Sequence, residues 1–202
     1  PSRGAALAGG AGIRVIAQQS LDPRLMSVRV ASTRVAVPLD VRILLPRGYA
    51  RHPHRRYPVL YLLHGTSGRA ADWTTMGDAE STTGGLPLIV VMPDIGIAGD
   101  GGGWCTNWFG TGPHGRPRWE TFHIGQLIPW VDENLRTVRA RSGRAIAGLS
   151  QGGFCSMSYA ARHPDLFVAA LSFSGAPDIA YDAEARALVT PIINLTETVL
   201  DG

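Results

Sequence analysis

The pentapeptide Gly148-Leu149-Ser150-Gln151-Gly152 limits what this chain can fold into more than any other stretch. An apolar run over residues 144–149 breaks at a serine with a glycine two positions to either side, and a helix-forming segment follows. A strand that turns abruptly into a helix strains its backbone and calls for neighbours without side chains, the requirement met by Gly148 and Gly152. Such a turn lifts the Ser150 hydroxyl out of the sheet edge. It also aims the Gln151 N–H, at the start of the helix, at the place where an oxyanion would form.

The flanking pattern predicts the sheet that this turn needs. Residues 26–32 and 39–45 alternate apolar with polar and read as half-buried strands pairing in an opening hairpin. Residues 57–65, 84–94, 144–149 and 167–175 are continuous apolar runs, the signature of strands covered on both faces. Helical spacing appears over residues 121–135 and again over 152–162, before the stop signal His163-Pro164. Strands alternating with helices indicate an α/β fold, a mostly parallel, doubly wound sheet beginning with an antiparallel hairpin. Residues 1–25, with their Ala/Gly-rich segment 4–12, read as a partly flexible tail, and residues 26–202 as one core.

Charge argues against a nucleic-acid partner. All 19 basic residues are arginine and the net charge is only +3, but they are scattered along the chain and do not gather on one face. The one local cluster, residues 51–56, sits in a Pro-broken connection and reads as a solvated loop. Its His52-x-His54 lacks the further ligands that a metal site would need. No apolar run reaches the ~18 residues of a membrane span. Two cysteines, Cys105 and Cys155, are too few for a disulfide framework, and whether they pair is open. A chain starting at Pro1, with an Ala/Gly-rich beginning, is compatible with export after removal of a signal.

In open α/β sheets the reactive groups collect on loops at the carboxyl ends of the strands. Three strands here end in His64-Gly65-Thr66, Pro93-Asp94 and Gly148-Leu149-Ser150. A serine hydroxyl is a weak nucleophile and needs a base to take its proton and donors to hold the negative charge of a tetrahedral intermediate. Ser150 is the candidate nucleophile, with the backbone N–H groups of Gln151 and Thr66 as the two donors. The long Gly-rich loop over residues 96–118 carries Trp104 and Trp108, with Trp119 just after it. These form either a wall for an apolar substrate or packing beneath the loop.

With these motifs in place, the chain resembles the esterase D and antigen 85 mycolyltransferase family of α/β-hydrolases over nearly all of residues 26–202. The similarity rests on residues 58–65, 89–94, Trp119-Glu120-Thr121-Phe122 with Leu127-Ile128-Pro129-Trp130-Val131, residues 148–153 and His163-Pro164. The resemblance implies acyl transfer from an ester or acyl-lipid substrate, to water in the esterases or to a sugar or glyceride hydroxyl in the transferases. It calls for no cofactor and no metal. His64-Gly65-Thr66-Ser67 is closer to general esterases than to mycolyltransferases, which resemble Asp-Gly-Leu-Arg at this loop, and this speaks against a trehalose-mycolate substrate. The export reading of the chain's beginning gives the expectation of a secreted or cell-wall-associated protein.

The triad of this fold runs serine, then Asp or Glu, then histidine. The only histidine after Ser150 is His163, about 11 residues along a helix and so roughly 16 Å from the turn. His64 belongs to the oxyanion loop, His123 to a helix and His114 to the long loop. Asp178, just beyond the last predicted strand, is the fallback acid. These gaps give the expectation that the 202 residues are the front part of a longer hydrolase, with residues 183–202 leading toward the remainder. A serine esterase is the leading reading. The alternatives are a mycolyl- or diacylglycerol-type acyltransferase, and a wall-surface binding protein that keeps the fold without the chemistry.

Overall fold

Three successive strands joined by short turns build the first part of the sheet, because a chain that doubles back through a tight connection can only pair antiparallel. They are β1 (Ile13–Ser20), β2 (Leu25–Ser32) and β3 (Leu39–Leu44). In the computed structural model, which describes residues 6–97, 102–178, 181–184, 186, 187 and 190, four further strands follow: β4 (Val59–Leu63), β5 (Ile89–Pro93), β6 (Arg144–Leu149) and β7 (Ala169–Phe173). All seven form one sheet in the order β1-β2-β3-β5-β4-β6-β7. β4 pairs parallel with both β5 and β6, and β6 pairs parallel with β7.

Four helices and a π-helical segment serve these crossovers: α1 (Asp72–Thr75), α2 (Ala79–Thr82), the π-helical Thr121–Leu127 running into α3 (Ile128–Asn134), and α4 (Gln151–Arg162). Side chains alternate between the two faces of each strand. Tyr61 and Leu63 of β4 join Trp119, Phe122, Trp130 and Tyr159 in the larger core. On the opposite face, Leu62 packs with Val90, Met92, Ala147 and Ala79 beneath α1 and α2. A charged pair is sealed at the amino end of β6, where the Arg144 guanidinium meets the Asp132 carboxylate at 2.5 Å and Thr137 donates its hydroxyl to the same carboxylate. Among the described residues no helix is long and apolar enough to cross a membrane.

The expected α/β sheet with its opening antiparallel hairpin is present, and its antiparallel part extends beyond that hairpin, since β1–β2, β2–β3 and β3–β5 are all antiparallel. Several finer expectations are corrected. Residues 13–20, read as part of a tail, form β1. Of its eight residues only Ile13 is buried, so this edge strand carries almost no hydrophobic alternation to betray it. Among the described residues β7 is the last strand beside β6, and Ala169, Leu171 and Phe173 on it are exposed. Residues 121–127 are wound as a π-helix where a single α-helix was expected. Most of residues 183–202 lie outside the described residues.

Candidate active site

Ser150 stands between the end of β6 and the start of α4 with φ 53° and ψ −117°, a backbone conformation that a residue with a Cβ enters only under strain. The surrounding packing holds it there. Its N–H donates to the Phe173 carbonyl at 2.8 Å and its carbonyl accepts from the Phe154 N–H at 3.0 Å, so β7 and α4 grip it from two sides. The side chain is exposed at the carboxyl edge of the sheet.

The flanking glycines are required by contact. A Cβ on Gly148 would lie 2.3 Å from the carbonyl of Gly152, and one on Gly152 would lie 2.4 Å from the carbonyl oxygens of Leu63 and His64. Close seating of α4 on β4 and β6 is therefore possible only with glycine at both positions. The same closeness brings the loop after β4 to Ser150, where the Cβ position of Gly65 is 3.6 Å from the Ser150 Cβ. Thr66 follows directly. Gln151 is the first residue of α4, directly after Ser150.

Two buried histidines hold this edge together, each with both ring nitrogens engaged. His64 Nε2 accepts the Ile95 N–H at 3.0 Å, which puts the ring proton on Nδ1, where it donates to the Gly65 carbonyl at 2.7 Å. Burial pushes His64 below the usual imidazole range, against the Gly65 bond that favours the charged form. His123 Nε2 donates to the Asp94 carbonyl at 3.0 Å and Nδ1 accepts from the Tyr159 hydroxyl at 2.8 Å. Burial lowers its pKa to about 4. Asp94 accepts backbone N–H groups from Asp40 and Ala70, both at 2.8 Å, tying the end of β5 to β3 and to the segment after β4. Burial raises its pKa all the same.

The remaining expected site residues fall elsewhere. Trp104, Trp108 and Trp119 are 4%, 3% and 0% exposed, so they are packing beneath the loop and not a substrate wall. Trp104 meets the Phe154 ring edge-on at 5.7 Å, and Trp119 stacks on His123. Asp178 occupies an exposed turn after β7, where its backbone carbonyl accepts the Asp182 N–H. His163, at the far end of α4, bonds Glu120 at 2.8 Å. Cys105 and Cys155, left open by the sequence, form a disulfide that fastens the long loop to α4. The Gln151 side chain, to which sequence reasoning gave no part, is buried beside Thr66.

A family model described as "Putative esterase" matches residues 32–185. Esterase Rv1288 of Mycobacterium tuberculosis is 40% identical over 196 residues, which cover 95% of this chain and 40% of that protein. The diacylglycerol acyltransferase/mycolyltransferase Ag85B of Mycobacterium leprae is 33% identical over 133 residues, covering 64% of this chain and 39% of that protein. This chain thus spans less than half the length of either. Among solved structures, an S-formylglutathione hydrolase from Agrobacterium tumefaciens superposes with a TM-score of 0.71 over 91% of this chain and 72% of that one, at 16% identity, a likeness of fold alone. On the match over residues 32–185 and the kinship with Rv1288, this chain belongs to the Esterase family.

Proposed function

We propose that the protein of which these residues are part is a serine carboxylic ester hydrolase working through an acyl-serine intermediate. One observation carries the reading: an exposed serine in strained backbone, between strand and helix, with the Gly65-Thr66 loop against it. A base takes the Ser150 hydroxyl proton as Oγ attacks the ester carbonyl carbon. The negative oxygen that forms is held by the N–H groups of Thr66 and Gln151. Its collapse breaks the bond to the alcohol, which leaves with the proton, and water reverses the sequence to release the acid.

None of the described histidines is assigned as the base. His64 and His123 have no ring nitrogen to spare, and His163 lies a whole helix away. In this reading the base and its acid come from polypeptide beyond the described residues, with exposed Asp178 as a secondary candidate for the acid. The disulfide fits export to an oxidising compartment, consistent with a secreted or wall-associated protein. Kinship with Ag85B favours a second reading, in which a sugar or glyceride hydroxyl replaces water as acyl acceptor.

The test is p-nitrophenyl acetate hydrolysis by the intact protein, with mass spectrometry of the acylated peptide. Acyl label on Ser150 and loss of turnover in Ser150→Ala are the expected results. Full turnover in Ser150→Ala would sink the proposal. Adding glycerol distinguishes the readings, since a transferase forms acyl-glycerol in preference to free acid.

A further inference from the structure

The Gln151 side chain follows an exposed serine on a helix N-terminus, yet the residue is only 3% exposed. Burying a carboxamide is unfavourable unless its polar atoms find hydrogen-bond partners. Its Nε2 donates to the Thr66 hydroxyl at 3.4 Å. Thr66 and Gln151 are the two residues whose backbone N–H groups are assigned to the oxyanion, so their side chains join the two halves of the hole. A threonine hydroxyl both donates and accepts, and the tie survives whichever end of the amide faces it.

From behind, the amide is pressed by backbone. A Cβ on Gly102 would fall 2.2 Å from Gln151 Oε1 and 2.4 Å from Nε2, and Gly102 has φ +93°, so glycine is needed there on two counts. Trp104 and Cys105 next to it also lie in the left-handed region, at φ 50° and 54°. This unfavourable run is fastened by the Cys105–Cys155 disulfide to α4, the helix that Gln151 begins.

Resting on the esterase reading, we propose that the Gln151 carboxamide is a positioning residue. Wedged between the disulfide-held 102–105 segment and Thr66, it keeps the Thr66 N–H aligned with its own N–H before charge develops. Donors aligned in advance need no reorganisation in the transition state, so a loosened tie shows in kcat more than in KM.

The experiment compares Gln151→Met, Thr66→Val, their double variant and Thr66→Ser in the intact protein, by p-nitrophenyl acetate kinetics, melting temperature and exchange of the Thr66 amide. Each of the first two is expected to lose roughly 3- to 10-fold in kcat at little-changed KM, the scale of one neutral hydrogen bond. The double variant should be no slower than either single one, and Thr66→Ser should recover the wild-type rate. Thr66 amide exchange should quicken in Gln151→Met. Unchanged kcat in Gln151→Met, multiplicative losses in the double variant, or Thr66→Ser as slow as Thr66→Val would each overturn the proposal. If Ser150→Ala is as active as wild type, the esterase reading fails instead, and amide exchange decides the tie alone: quickened exchange upholds it and unchanged exchange refutes it.

Discussion

Breaking the Cys105–Cys155 bridge should cost the fold between about 2 and 4 kcal/mol. The two cysteines are 50 residues apart in sequence, and a loop of that length, opened in the unfolded chain, returns about 4 kcal/mol of conformational entropy. Against this stands local relief. Trp104 and Cys105 both have positive φ without being glycine, at roughly 1 kcal/mol each, and a released loop can relax them. Urea unfolding of the intact protein with and without dithiothreitol measures the difference while keeping both sulfurs in place. The Cys105→Ala, Cys155→Ala double variant should be weaker than oxidised wild type and indifferent to dithiothreitol. A reductant effect on wild type below about 1 kcal/mol, or an equal effect on the double variant, would refute the reasoning.

Two further predictions concern the site's support. Gly152→Ala drives a Cβ to 2.4 Å from two backbone carbonyls and should destabilise by ~3 kcal/mol or more; Gly85→Ala, with nothing within 4 Å, should leave the melting temperature almost unchanged. The His123 imidazole should stay neutral down to about pH 4, as followed by NMR. Since the unfolded chain binds that proton first, the stability His123 contributes is whole above about pH 6.5 and is lost as pH falls toward 4. Titration of His123 near 6.5 would contradict this.

The strand-to-helix turn at Ser150 was legible because its constraints are local. Glycine two residues either side of a serine, between an apolar run and a helical one, reports sterics acting within five residues, and β6 spans the predicted residues 144–149. The stacking order of strands was legible only in part. β1 escaped notice because its one buried residue leaves no alternation to read. The tryptophans were ambiguous because a ring under a loop and a ring lining a cleft have the same sequence signature, and only burial separates them.

By itself the sequence determined an α/β chain with a serine at a strand-to-helix turn and a glycine-containing loop after an upstream strand. Those properties follow from residue type and short-range spacing. Tertiary structure alone decided that Gly65 abuts Ser150, that Cys105 pairs with Cys155, and that both ring nitrogens of His64 and of His123 are taken up in hydrogen bonds. It also placed the Gln151 amide between Gly102 and Thr66. Each of these joins residues far apart in the chain, whose distance is set by how the helices seat on the sheet. No local pattern of apolar and polar residues encodes such distances.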